Sequence, residues 1–281
     1  MRVFIRTDYT QMSRTAASFL VDSINKFQQT SPSRKMNIAL SSGWSVKVVY
    51  KELAEAVERG DVSLANVNIF HVDEFVGLPA ADPHCQRNVM YDTLYSLPGV
   101  DIPSTNVHSL DAWAPSLPDE CAAFEKKIEA QGGLDLALFS TGADGHVARN
   151  EPGSSLKSVT RQAGLAYDTR IQLSERWGVG LDEVPTHALT VGIKTLAEAR
   201  NVLVLFTGVN RAKALEASLE GSMNHMFPVS VFQRHTSATF VVDEPSTYEL
   251  RVKTVHYFKG LERTSGEVFG NPVHGEMKFK A

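Results

Sequence analysis

The chain has 281 residues, 43% of them hydrophobic and 21% charged, a balance that builds a core and excludes collagen-like and disordered classes. With a formal net charge of −4 and no long basic run, it has no track for a nucleic-acid backbone. Cys85 and Cys121 are too few for a disulfide framework or a thiolate zinc site and suit a reducing compartment. The first ten residues lack a secretory pattern, and no apolar run reaches the roughly 20 residues that span a bilayer. A cytoplasmic protein with neither a nucleic-acid nor a membrane partner is expected.

In chain order, a short strand at 3–5 precedes residues 10–29. There Met12, Ala16, Phe19, Leu20, Ile24 and Phe27 recur at three- and four-residue spacing, predicting an amphipathic helix. Residues 36–40 read as a buried strand, and 45–59 return to helical spacing through Val49, Leu53, Ala56 and Val57. Strands are expected at 67–72, 134–140, 188–193, 202–206 and 239–242, with a helix over 211–220. A last helix is expected to start in Asp243-Glu244-Pro245-Ser246, which has cap-forming side chains and an early Pro, and to end near Gly260. The alternation predicts a single α/β domain of Rossmann-like type over 1–261, its mainly parallel sheet covered by helices on both faces. Residues 262–281 read as a C-terminal tail.

Ligands of open parallel sheets sit beyond the carboxyl ends of the strands, so the polar residues there are the candidates. Ser42, Gly43 and Ser45 lie in a strand-to-helix turn able to present hydroxyls and N–H groups to a phosphate, or to serve as an ordinary turn. Trp44 in the same turn is expected to crowd such an anion. Asp73 and Glu74 follow a strand and point to opposite faces, so one of them can act as a base or cap the next turn. Asp144, His146 and Glu151 lie in one loop around Gly145, where a carboxylate-oriented imidazole could shuttle protons and a structural polar cluster is the alternative. Their spacing matches no metal motif. His225 reads as a packing residue or a further polar site group. Arg176 and Arg211 are candidate anion partners.

Four motifs carry a resemblance: Asp73-Glu74-Phe75-Val76-Gly77-Leu78-Pro79, the run from Asp144 through Asn150-Glu151-Pro152, Ala188-Leu189-Thr190-Val191-Gly192, and Asn224-His225-Met226. In this order, over 1–261, the chain resembles the glucosamine-6-phosphate deaminases. That resemblance implies conversion of glucosamine 6-phosphate and water to fructose 6-phosphate and ammonia, without metal or nicotinamide cofactor, by a homo-oligomer that is commonly a hexamer. It makes Asp73 the base between C2 and C1, and His146 the ring-opening group with Asp144 and Glu151 as partners. Ser42, Gly43, Ser45, Arg176 and Arg211 then form the phosphate site, and Ser154, Ser155, Arg161 and Tyr257 a remnant of an allosteric site in which Ala163 stands for a Lys.

The sequence departs from the family pattern around the pocket. Trp44 and Val46 alter the phosphate turn, and Cys85-Gln86 replaces a Ser-Tyr pair. Arg149 replaces an aromatic residue and is expected to neutralise a carboxylate, to meet an acidic substrate group, or to face solvent. Two alternatives accompany the deaminase reading: a weak or inactive paralogue that binds sugar phosphates, and a 6-phosphogluconolactonase-like hydrolase.

Overall fold

A computed structural model describes residues 1–100 and 102–265. Ten strands form, β1 (Arg2–Arg6), β2 (Met36–Leu40), β3 (Val67–His71), β4 (Asp73–Val76), β5 (Val107–His108), β6 (Leu136–Ser140), β7 (Arg161–Gly164), β8 (His187–Thr190), β9 (Asn201–Phe206) and β10 (Ala238–Asp243). Between them run α1 (Tyr9–Thr30), α2 (Lys47–Glu58), α3 (Gln86–Met90), α4 (Leu117–Ala130), α5 (Tyr167–Trp177), α6 (Ile193–Ala197) and α7 (Ala212–Leu219), with α8 (Val252–Ser265) at the end.

Seven strands make one parallel sheet in the order β1-β10-β9-β6-β2-β3-β5. Its strands are short apolar runs because both faces are covered, and alternate residues feed two separate cores. Ile38 and Leu40 pack with Met12, Leu20 and Ile24 of α1 and Val49 and Leu53 of α2, while Ala39, between them, joins the opposite core. There Val202, Val204 and Phe206 meet Phe124 and Ile128 of α4 and Leu215 of α7. From β2 the chain moves outward to β3 and β5; from β6 it moves the other way to β9 and β10. The switch point therefore lies between β2 and β6, where the connections leave the sheet in opposite directions.

Two expectations need correction. Residues 188–193 do not extend the parallel sheet: β8 pairs antiparallel with β4 and β7 in a second, three-stranded sheet. Phe75, Leu165, Leu173 and Ala188 form a small core of its own beside α5. The last helix does not start at Asp243 either. The Asp243 side chain accepts from Ser246 N, but this caps only the 3-10 turn Glu244–Thr247. The helix proper begins at Val252 and continues through Gly260, so it crosses the boundary expected at 261. Residues 266–281 of the expected tail lie outside the described residues.

Candidate active site

Two connections leave the switch point side by side. The β2 loop carries Ser41 to Ser45, and the β6 loop carries Thr141 to Glu151. Asp73 follows β3 on the other side of β2, so both candidate proton-transfer groups flank the same turn.

The β6 loop is shaped around its imidazole. His146 Nδ1 lies 2.7 Å from Asp144 Oδ1, and the His146 backbone N–H donates to that same oxygen at 3.2 Å. This fixes the ring and leaves Nε2 for a ligand. A Cβ on Gly142 would stand 2.3 Å from His146 Cε1 and 2.7 Å from Asp144 Oδ1, so only Gly leaves room for the pair. Gly145 turns the loop at φ +76°, with Phe227 pressed against it. Burial works to raise the Asp144 pKa, yet the hydrogen bonds and charge of His146 outweigh it and hold the carboxyl below its ordinary value.

The two neighbouring acids of β4 separate as extended backbone requires. Glu74, 1% exposed, turns away and collects the N–H groups of Phe75, Gln86 and Arg87 at 2.8–3.0 Å, tying down the start of α3. Burial raises its pKa, with those backbone bonds opposing and the Asp73 charge adding. Asp73, 5% exposed, accepts instead from Arg149 Nε at 2.9 Å, and the Arg149 guanidinium lies 4.6 Å from the centroid of the Phe75 ring. Ala148, just before it, is the one described non-glycine residue with positive φ, +53°. Two positions upstream of Asp73, His71 sits between the Tyr95 hydroxyl and Ser109 Oγ. Burial, then the charge of His108, pulls its pKa to about 4, so it stays neutral at neutral pH.

In the β2 turn the Ser42 hydroxyl donates to the Gln86 side-chain carbonyl. Trp44 is 73% exposed, and its carbonyl accepts from the Tyr9 hydroxyl. Arg211 follows β9, and its charge is opposed by that of Arg176 at the end of α5. Burial first, and Arg176 second, lower the Arg211 pKa against the pull of Asp243 and Asp144, and its Nε is buried without a hydrogen-bond partner. Two mutually opposed guanidinium groups with an unused buried donor suit a multiply charged anion.

Glu151 does not bond to His146. One oxygen accepts from Ala166 N at 2.7 Å and the other is buried without a partner. Arg161 donates to Asn150 Oδ1 at 2.6 Å and to Ser154 Oγ at 3.2 Å, while Ser155 serves its own turn by accepting from Lys157 N. Tyr257 is exposed on α8, a helix packed against β1, with its ring edge-on to Phe258. His225 is exposed, its carbonyl holding Gly153 N. Among the described residues no cluster of His, Cys, Asp and Glu is placed to hold a metal ion. Sequence reasoning did not anticipate the bond from Ser42 to Gln86, nor that Arg149 would choose Asp73, 76 residues away.

At its switch point the parallel α/β sheet brings an oriented imidazole, a buried carboxylate and two cations into neighbouring loops, groups with the chemistry to move protons on an anionic ligand. Residues 7–241 match the family described as glucosamine-6-phosphate isomerases/6-phosphogluconolactonase. The chain is 41% identical over 278 residues to glucosamine-6-phosphate deaminase 2 of Xenopus tropicalis, covering 99% of this chain and 100% of that one. With the glucosamine-6-phosphate deaminase of Serratia proteamaculans it shares 43% over 265 residues, 94% and 98% of the two chains. A solved structure of a monomeric glucosamine-6-phosphate deaminase superposes with a TM-score of 0.82 at 28% identity, over 89% of this chain and 100% of that one. The chain belongs to the glucosamine-6-phosphate isomerase/6-phosphogluconolactonase family.

Proposed function

We propose that this chain is a glucosamine-6-phosphate deaminase, yielding fructose 6-phosphate and ammonia. The observation that carries the reading is the Asp144–His146 pair standing across the β2 turn from Asp73, in a chain akin to deaminases along nearly its whole length. Arg176 and Arg211 hold the phosphate with the hydroxyls of Ser42 and Ser45 and the backbone at Gly43. His146, fixed through Nδ1, uses Nε2 to pass a proton from the anomeric hydroxyl to the ring oxygen, which opens the sugar to its aldehyde. Asp73 then takes the C2 proton. The C2–H pair becomes the C1–C2 double bond and the carbonyl pair moves to O1. Return of the proton to C1 leaves an imine at C2, which adds water and expels ammonia. Glu151, with one oxygen unpartnered, offers its acceptor to the open-chain substrate rather than to the imidazole.

The same reading makes the protein a cytoplasmic homo-oligomer, a hexamer by its resemblance, and Ser154, Ser155, Arg161 and Tyr257 the trace of an effector site. Light scattering at micromolar concentration separates a hexamer from a monomer. Function is tested by assaying ammonia and fructose 6-phosphate together over a panel of phosphorylated sugars, with 6-phosphogluconolactone included. Equal amounts of both products from glucosamine 6-phosphate are expected. Lactone hydrolysis without ammonia would replace the reading, and sugar-phosphate binding without turnover would make the chain a sensor.

A further inference from the structure

The Asp73–Arg149 ion pair has a kinetic consequence. A guanidinium that touched only the base would favour carboxylate over carboxylic acid, stabilising the state before proton transfer more than the state after it. Such a contact would slow the step that Asp73 is proposed to perform. Arg149 is arranged otherwise. It meets Asp73 through Nε alone, at 2.9 Å, and neither Nη1 nor Nη2 donates to a described residue. The group lies over the Phe75 ring, its backbone N–H is held by Thr190 Oγ1 at 3.0 Å, and 17% of the side chain remains exposed. The guanidinium is thus held by Asp73 and the Phe75 face, with its backbone anchored at Thr190 and both Nη groups without a described partner.

When Asp73 takes a proton from C2, the negative charge leaves the carboxylate and appears on O1, one atom beyond C1. We propose that Arg149 is a further catalytic residue of this site, whose free Nη groups hydrogen-bond the substrate O1 as it becomes an oxyanion. The cation then keeps a full negative partner throughout: Asp73 before the transfer, O1 after it. Donors preset at the atom where charge develops contribute more than donors on the ground state. This inference rests on Asp73 being the base, and it explains why a partly buried position beside the base carries a guanidinium instead of an apolar ring.

The test follows two proton transfers in the same protein. Deuterium exchange at C2 reports the Asp73 step, while catalysed interconversion of the anomers reports ring opening by His146. Arg149→Met is expected to slow C2 exchange and kcat together by about 100-fold, with KM within about twofold and anomer interconversion unchanged. Arg149→Lys keeps the charge without the fork and should recover part of the exchange rate. Faster or unchanged exchange in Arg149→Met would overturn the proposal, marking the pair as a brake or a bystander. Equal losses in exchange and anomer interconversion would overturn it too, since a disordered 146–150 loop damages both. Asp73→Asn separates the two ideas: C2 exchange surviving in that variant refutes the base assignment, whatever Arg149 does.

Discussion

The amino ends of β2 and β3 and the loops at the carboxyl ends of the sheet use buried polar groups in opposite ways. At the amino ends of β2 and β3 every such group is satisfied. The Asn37 amide donates to the Gln131 and Gly133 carbonyls and accepts from Asn68, and Asp135 takes two bonds from Arg34, one from Arg200 and the Asn37 N–H. At the carboxyl ends the accounting stays open: Ser41 Oγ, one oxygen of Glu151 and Arg211 Nε are all buried without partners. Leaving a buried donor or acceptor unpaired costs about 1–3 kcal/mol. Three such atoms gather here, while Ser13 Oγ on α1, Arg170 Nε on α5 and Thr239 Oγ1 at the amino end of β10 carry the same cost elsewhere among the described residues. The closed end holds the strands in register, and the open end is poised for a ligand.

This contrast can be broken at several points. Gly142→Ala should have the largest effect, because its Cβ would overlap His146 and Asp144. Displacing the imidazole by about 1 Å is expected to lower kcat about 100-fold, with the far-ultraviolet circular dichroism retained. A fully active variant would show that His146 needs no fixed position. Asp135→Asn probes the closed end: a stability loss of about 2 kcal/mol by urea titration is expected, with kcat per folded molecule unchanged. Impaired turnover there would blur the division. Arg211→Gln should raise KM for the sugar phosphate about 10-fold or more and move kcat less, as loss of a charged donor to phosphate requires. A pure kcat effect would move Arg211 from anion binding to chemistry. Trp44→Gly should change KM by about twofold at most, the scale of an exposed substitution. A large gain in affinity would show that the indole crowds the phosphate after all.

Most of the parallel sheet was readable because strands buried on both faces are written as apolar runs, and β2 runs over Met36–Leu40 as expected. The small antiparallel sheet was not. β4 opens with two acids and β7 reads Arg-Gln-Ala-Gly, so neither shows the apolar alternation that marks a strand. Helix α5 buries only Leu173 and gives no period. Helix α4 did leave a signal: Ser116 caps it, Pro118 sits in its first turn, and Cys121, Phe124 and Ile128 share one face. The Asp243 cap was real but served a single 3-10 turn, since a cap marks a start and says nothing of length. Within the site, Asp144 and His146 are two residues apart and their bond was legible. Glu151 was drawn to its sequence neighbours on paper and to Ala166 in space. Arg149 offered three choices to sequence reasoning, and only the fold brings it against Asp73.

The most direct measurement is the fate of the C2 proton. Glucosamine 6-phosphate labelled with deuterium at C2 should give fructose 6-phosphate carrying part of that label at C1, on one face only, when wild-type protein turns it over in ordinary water. With Asp73→Asn, neither transfer nor exchange at C2 should occur, while catalysed interconversion of the anomers continues. Label transfer that survives the loss of Asp73, or product formed with no proton movement between C2 and C1, would contradict the assignment of this buried carboxylate as the base.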